Sequence, residues 1–316
     1  MSNFEFTQCL KKLVAQVVNL PNGEVLAEAL AMGKDYITLL DYQEIQGITD
    51  ISIISGQAPQ NIGGEPVNTN FHEYLNNIIQ PQIVSGEISD GTQSKYDDRK
   101  VRWSGAGIRG NWFCRNEVLY LEVGPATYPR YRQDIERTKI ESLELMLKGL
   151  EKYHDPFVYF ARTMGVTVIP ITKQGSIYIG ERSANVDCPG LLNFVAGLAT
   201  FNKIPENINF YADAQQELKE EVGICMKLNN SNARLIGIAG NPFTSENDLV
   251  FVVQSSVNED HFESQRLSEH SRLVRLNNKS DAQKLLEQGL LPGEKTKKAI
   301  AYGSRIGLEY WVKNIL

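Results

Sequence analysis

The chain contains few of the residues that build zinc sites, disulfide frameworks or membrane spans. Its 316 residues include four cysteines and four histidines, and the cysteines lie far apart with no CxxC pair. This scarcity argues against a zinc site and favours reduced thiols. No apolar run approaches the roughly 18 residues that cross a bilayer, and the first residues lack the pattern of a secretory signal. We therefore expect a cytoplasmic protein that does not enter a membrane.

An excess of basic residues is also missing. The formal net charge is -6, whereas proteins that bind duplex nucleic acid usually present a basic face. The composition is 42% hydrophobic and 22% charged, which is ordinary for a folded globular protein. We therefore expect no binding to duplex nucleic acid.

The residue pattern changes at residues 152 to 156, which predicts two domains. Residues 1 to 153 are predicted to form an N-terminal α+β domain, and the length of the chain is consistent with two units. This part contains no catalytic motif, and we expect it to shape the substrate pocket, form a homodimer or bind a partner. Its predicted elements are helices at 9–18, 71–79 and 134–153, a strand at 117–123 and a loop at 51–70.

Residues 154 to 316 have a different texture, with short strands joined by turns around a helix at 209–222. Strands that surround one such helix, with further helices on both sides, predict an α/β fold in which a mixed sheet is sandwiched between helices. The other predicted elements are strands at 165–172, 176–180, 234–239, 248–256 and 271–276, and helices at 280–288 and 305–316.

Three carboxylates crowd onto one side of the central helix. Glu217, Glu220 and Glu221 are spaced i, i+3 and i+4, so their like charges repel each other. A multivalent cation between them relieves the repulsion, and hard oxygen ligands indicate Mg²⁺ or Mn²⁺. Glu221 borders the apolar stripe of the helix, where an unpaired charge is costly unless a metal neutralises it. The alternative is a solvated acidic face on a surface helix.

Residues 216 to 224, with the sequence QELKEEVGI, resemble the second half of the Nudix box, which is written G-x5-E-x7-R-E-U-x-E-E-x-G-U with U aliphatic. Seven of these nine positions are specified by the pattern, and six of the seven agree. The exception is Gln216, where the family has arginine. The upstream glycine and glutamate of the box are displaced, and Gly197 and Glu206 take their roles if the intervening loop is a few residues longer.

This resemblance implies a Nudix-like domain over residues 154 to 316 that hydrolyses a nucleoside diphosphate linked to a group X. The family's metal-binding glutamates map onto Glu217 and Glu221, and Glu220 is a further ligand or anchors a metal-bound water. The carbonyl of Gly197 is implied as an additional ligand. Divalent ions suit this chemistry because they neutralise the diphosphate and lower the pKa of bound water.

A general base in this family is often a glutamate outside the box. Glu269 is the first candidate for this catalytic role, and Glu246 and Glu263 follow. Each of these residues is otherwise interpreted as an ordinary surface glutamate.

Residues 124 to 132 follow the strand predicted at 117–123 and form an aromatic and basic segment, which is predicted to be irregular. It is similar to a segment in the UDP-glucose and UDP-galactose diphosphatase branch of the Nudix family, which implies a nucleotide sugar such as a UDP-hexose or ADP-ribose. Tyrosines stack on a base and arginines grip phosphate, whereas the alternative is a packed turn with solvated arginines. The candidate substrate-binding residues are Tyr128, Arg130, Tyr131 and Arg132.

A second hypothesis is a catalytically weak Nudix-fold module that binds a nucleotide. Gln216 and the displaced upstream glutamate favour it, because both depart from the catalytic pattern. A third hypothesis is a factor that binds an RNA cap or another protein. The acidic charge disfavours RNA, although a cap requires only a pocket.

Overall fold

The computed structural model describes residues 3 to 60, 99 to 201, 207 to 264 and 267 to 314. These residues form a mixed α/β fold, in agreement with the predicted fold class. The helices are α1 (Asn3–Val17), α2 (Gly23–Ala31), α3 (Tyr128–Glu136), α4 (Lys139–Tyr153), α5 (Phe210–Val222), α6 (Glu259–Ser264), α7 (Lys279–Gln288) and α8 (Tyr302–Asn314). The strands are β1 (Ile37–Leu40), β2 (Asp50–Ser55), β3 (Arg99–Trp103), β4 (Trp112–Arg115), β5 (Val118–Thr127), β6 (Met164–Ile171), β7 (Ile177–Arg182), β8 (Leu192–Asn193), β9 (Val195–Leu198), β10 (Ala233–Gly240), β11 (Asn247–Gln254) and β12 (His270–Leu276).

The larger sheet has eight strands and is mixed, as predicted. Its order is β1-β10-β11-β6-β7-β12, with β8 beside β7 and β9 beside β6. β11 and β6 run parallel, whereas β10 is antiparallel to β11 and β9 is antiparallel to β6.

Helices cover both faces of this sheet because successive strand residues point to opposite sides. On β6, Val166 packs in the same core as Leu218 of α5, whereas Ile169 packs in the core that contains Trp311 of α8. α5 packs on β6 and β9, and α8 packs on β10, β11 and β6. The predicted arrangement of a sheet between two helical layers is therefore confirmed. No helix within the described ranges is both long enough and apolar enough to cross a membrane.

A smaller, four-stranded sheet lies in the N-terminal part, with the order β2-β5-β3 and β4 also paired to β5. The edge of β3 that faces away from β5 forms backbone hydrogen bonds with the segment that follows β9. The backbone N–H of Val101 donates to the carbonyl of Ala199 at 3.0 Å, and that of Phe201 donates to the carbonyl of Arg99 at 2.8 Å. β3 therefore links the smaller sheet to the chain that leads into α5.

Backbone pairing and apolar packing cross the position of the predicted domain boundary. β1 is antiparallel to β10 of the larger sheet, and α1 packs against α4. One core contains Leu13 and Leu26 together with Val166 and Leu218. The division into residues 1 to 153 and 154 to 316 stays a prediction, and each side of it contributes to the larger sheet.

The central helix agrees closely with the prediction for residues 209 to 222. The side chain of Asn209 caps α5 by accepting hydrogen bonds from the backbone N–H groups of Tyr211 and Ala212. Gly223 ends the helix with a φ of 66°, a left-handed conformation that glycine adopts without strain.

Three N-terminal predictions require correction or lie beyond the described residues. The helix predicted at 134–153 is two helices, because Thr138 begins α4 with a capping box to Glu141. The loop predicted at 51–70 begins as strand β2, which pairs with β5. Residues 61 to 70 and the helix predicted at 71–79 lie outside the described residues.

Candidate active site

A cavity of about 330 Å³ brings together residues from both parts of the chain. It lies against α5, β9 and β7 on one side and against β3, α3 and β11 on another. Seven of the residues considered from the sequence line it. These are Tyr128, Tyr131, Gly197, Glu217, Glu220, Glu246 and Glu269.

The carboxylates of α5 are packed closely against β9. A β-carbon at Gly197 would lie 2.0 Å from Oε1 of Glu217, so this position accommodates the carboxylate because it has no side chain. Glu221 is 1% exposed, and its Oε1 accepts a hydrogen bond from the backbone N–H of Ala196 at 3.0 Å. Its Oε2 lies 2.8 Å from Nε2 of His270 but is not aligned for a hydrogen bond and has no other partner. Glu221 therefore has one oxygen bonded to the backbone of β9 and one that lies against the imidazole of His270.

Burial and mutual repulsion raise the pKa values of these carboxyl groups. Desolvation, followed by the charges of Glu221 and Glu269, raises the pKa of Glu217 to about 8. Desolvation, followed by the charge of Glu269, raises the pKa of Glu221 to about 8. Desolvation also raises the pKa of Asp213 to about 7, against the opposing charge of Lys100. Little positive charge opposes these shifts, so without a cation the carboxyl groups of Glu217 and Glu221 favour the protonated form at pH 7.

His270 does not provide the missing charge. Burial, followed by the charge of Arg182, lowers the pKa of the imidazole to about 4, so the ring is neutral at pH 7. Arg182 Nη2 lies 3.5 Å from Oε2 of Glu269, and its Nε donates to the carbonyl of Asp187 at 2.7 Å. Arg182 therefore holds Glu269 at the cavity wall.

Glu220 lies at the exposed end of the carboxylate group. Gln216, which stands where the family has arginine, donates from Nε2 to Oε1 of Glu220 at 2.8 Å. The carbonyl of Glu220 also accepts a hydrogen bond from Oγ of Ser268 at 3.0 Å. The glutamine thus orients Glu220 without adding positive charge.

The residues of this site fit a hard divalent cation. Their donors are carboxylate oxygens, one of which is buried without a hydrogen-bond partner, and Gly197 leaves the space that Glu217 occupies. Among the described side chains, no three acidic, histidine or cysteine groups already converge as a metal site. Mg²⁺ commonly uses one or two carboxylates and retains several waters, so Glu217 and Glu221 suffice as its protein carboxylates. Glu206 lies outside the described residues.

The carbonyl predicted as an extra ligand has a different neighbour. The oxygen of Gly197 lies 2.5 Å from the position that a β-carbon would take on Gly165 of the adjacent strand. Its role as a ligand stays a prediction.

Asp248 and Tyr302, which have no role in the predictions from sequence, also line the cavity, together with the candidate base Glu246. Asp248 accepts hydrogen bonds from Oγ1 of Thr167 at 2.7 Å and from the hydroxyl of Tyr302 at 3.0 Å. Burial raises the pKa of Asp248 to about 6 and that of Glu246 to about 7. The available sequence signal for Asp248 is a charged residue at the start of a strand that is otherwise apolar.

The aromatic and basic segment folds as the end of β5 followed by α3, and not as an irregular segment. Tyr128 and Tyr131 line the cavity with ring centroids 5.6 Å apart, because i, i+3 spacing places them on one helix face. Arg130 donates instead to the carbonyl of Tyr159, and Arg132 pairs with a carboxylate one turn further along α3. Neither arginine lines the cavity, and their substrate-binding roles stay predictions.

The third candidate for the general base, Glu263, does not belong to the cavity. Glu263 lies on α6 with an exposed side chain and does not line the cavity. Glu269 and Glu246 line different parts of the wall, and Glu269 is the one near the carboxylates of α5.

No protein-family model and no curated protein sequence matches the chain. Solved structures that resemble part of it include the following two. A MutT protein from Methanosarcina mazei Go1 is 19% identical with a TM-score of 0.34, over 48% of this chain and 94% of that one. The DR0079 protein from Deinococcus radiodurans is 19% identical with a TM-score of 0.30, over 46% of this chain and 82% of that one. Both similarities are partial, and a function has to be inferred from the residues of the site.

Proposed function

We propose that the chain is a Mg²⁺- or Mn²⁺-dependent pyrophosphohydrolase of the Nudix type, which cleaves the diphosphate of a nucleoside diphosphate linked to X. The observation that carries this proposal is the buried carboxylate of Glu221, one oxygen of which has no hydrogen-bond partner. It lies one helical turn from Glu217, and Glu217 lines the cavity. Two such carboxylates without a matching cation are the ligands that a hard divalent ion prefers.

In this proposal Glu217 and Glu221 hold the cation, and Glu220 is a further ligand or holds a metal-bound water. The cation, when bound, neutralises the diphosphate and lowers the pKa of water. Glu221 cannot turn away from the ion, because its other oxygen accepts the backbone hydrogen bond from Ala196. Glu217 packs against Gly197, where any side chain would collide with its carboxylate.

Glu269 is the proposed general base. Its carboxylate lines the cavity beside α5, and Arg182 holds it there. A base at this position accepts the proton of the attacking water as the water oxygen bonds to phosphorus and one P–O–P bond breaks. The products are a nucleoside monophosphate and the phosphate ester of X.

The proposed substrate is a nucleotide sugar such as a UDP-hexose or ADP-ribose. The cavity volume of about 330 Å³ is within the range of small-molecule sites. Glu246, Asp248 and Tyr302 present hydrogen-bonding groups to it, which suit the hydroxyls of a sugar. The carboxylates of Glu246 and Asp248 disfavour a further anionic group beside them, and so favour a neutral X.

The test is hydrolysis of UDP-glucose, UDP-galactose and ADP-ribose with Mg²⁺ or Mn²⁺, followed by detection of both phosphorylated products. We expect metal-dependent turnover by the wild type. Glu221→Gln should lower kcat by about two orders of magnitude or more, because it removes a metal ligand and keeps the shape of the side chain. The matched control is Glu287→Gln, at an exposed glutamate of α7, which should keep wild-type turnover. Unchanged turnover by the Glu221 variant would contradict the metal site.

A second candidate function is nucleotide binding without turnover. Gln216 favours it, because a neutral amide stands where the catalytic pattern has an arginine. Thermal stabilisation by nucleotides without release of products, with either metal, would support this function over hydrolysis.

A further inference from the structure

We propose that Lys100 binds the diphosphate of the substrate, so that the N-terminal part of the chain completes the site. This inference rests on the proposed function, since it names the group that receives the same diphosphate. Sequence analysis gave no role to Lys100, and the residues that precede position 154 contain no catalytic motif.

The position of Lys100 is fixed by backbone pairing on both sides of β3. On one side Lys100 pairs with Ala126 of β5, and on the other it forms a bridge with Thr200. Thr200 follows shortly after Gly197, whose backbone contacts the carboxylate of Glu217. The side chain of Lys100 is 9% exposed and lines the cavity. Its ammonium group is therefore held at the wall rather than on a mobile surface.

The charge balance of the cavity gives this ammonium group its role. Among the described residues that line the cavity are six carboxylates and two cationic side chains, those of Lys100 and Arg182. Two of these six carboxylates have basic partners, Asp187 with Arg132 and Glu269 with Arg182. A diphosphate adds further negative charge to this space, and a divalent ion at α5 offsets only part of it. Lys100 supplies positive charge from a different element.

Lys100 also has the neighbours expected of a group that lies between a nucleoside and a metal. Its Nζ is 5.8 Å from the ring centroid of Tyr128, and its charge acts on Asp213 in the first turn of α5. Tyr128 and Tyr131 form an aromatic pair on which a base can stack. The phosphate attached to the nucleoside is thus placed beside Lys100.

The experiment measures binding without turnover. UDP and ADP are titrated calorimetrically with Ca²⁺ present, and uridine and adenosine serve as ligands that lack the diphosphate. Lys100→Met should weaken binding of the preferred diphosphate by about tenfold or more and leave binding of its nucleoside unchanged. Lys100→Arg should retain most of the affinity because it keeps the charge.

Lys148→Met is the matched control. Lys148 is exposed on α4, with its Nζ 5.4 Å from the ring centroid of Tyr159, and does not line the cavity. Its replacement should leave diphosphate binding unchanged. If hydrolysis is detected, Lys100→Met should raise KM by about tenfold and change kcat less.

Three results would overturn the role of Lys100. These are wild-type affinity in Lys100→Met, an equal loss of diphosphate and nucleoside binding in a folded variant, and no diphosphate binding by the wild type. Different results would contradict the proposed hydrolysis and the proposed role of Lys100. Diphosphate binding that depends on Lys100 but never leads to product would contradict hydrolysis alone, whereas turnover that is insensitive to Lys100 would contradict the present inference alone.

Discussion

At the residue level, the first and the last of the glutamates predicted as the general base differ in their surroundings. Glu269 lies at the cavity wall, 3.5 Å from Nη2 of Arg182, and its charge raises the pKa of both Glu217 and Glu221. Glu263 is exposed on α6 and does not line the cavity. The difference separates a candidate general base from a solvated side chain.

Glu269→Gln should therefore lower kcat by about 100-fold or more, because a positioned base contributes rate enhancements of this order. Glu263→Gln, the control, should keep wild-type turnover. Steady-state hydrolysis of the preferred nucleotide sugar measures both. A normal kcat in Glu269→Gln combined with a loss of kcat in Glu246→Gln would indicate that Glu246, and not Glu269, is the general base.

The spacing of residues along the chain predicted some members of the site and missed others. Glu217 and Glu220 are found at the cavity because helical periodicity is a local property. Lys100 and Asp248 escaped notice because their neighbours in space are far from them in sequence. Arg130, which the sequence predicts to bind substrate, donates to the carbonyl of Tyr159, and its role stays a prediction.

At the level of elements, α5 combines an apolar face with buried carboxyl groups whose pKa values are raised. The folded-state pKa of about 8 for Glu217 and Glu221 is raised from 4.5, the ordinary value for a glutamate. Their protonation therefore contributes stability that is complete below about pH 4.5 and is lost as the pH rises through 8.

The melting temperature of the metal-free protein should accordingly fall by several degrees between pH 6 and pH 9. Mn²⁺ should raise it, and by more at pH 8.5 than at pH 6, because the cation competes with protons for the same oxygens. Differential scanning calorimetry with and without Mn²⁺ measures the effect. Glu221→Gln should flatten the pH dependence, and a metal-free wild type that is already insensitive to pH over this range would contradict the charge balance described for α5.

Local signals predicted α5 better than they predicted β5 and α3. Asn209 and Gly223 mark the two ends of α5 with side-chain and backbone preferences that act locally. Gly124 and Pro125 indicated an irregular segment, but β5 continues through them because it pairs with β3. The threonine at 127 then caps α3, and this start became visible only with the strand in place.

At the level of the whole molecule, the site depends on contacts between the two parts of the chain. β1 joins the larger sheet, and β3 connects the smaller sheet to the segment after β9. The alternation of apolar residues predicts that strands exist, but it does not specify their partners. The mixed sheet between helices was therefore predictable from sequence, whereas the particular N-terminal residues that line the cavity were not.

The most direct test of the central claim is a crystal structure of the whole chain with Mn²⁺ and a nucleoside diphosphate, using the anomalous signal of manganese. We expect a peak within about 2.0–2.4 Å of carboxylate oxygens from Glu217 and Glu221, with a phosphate oxygen on the same ion. Carboxylates directed into solvent, with nucleotide bound and no manganese between them, would contradict the account.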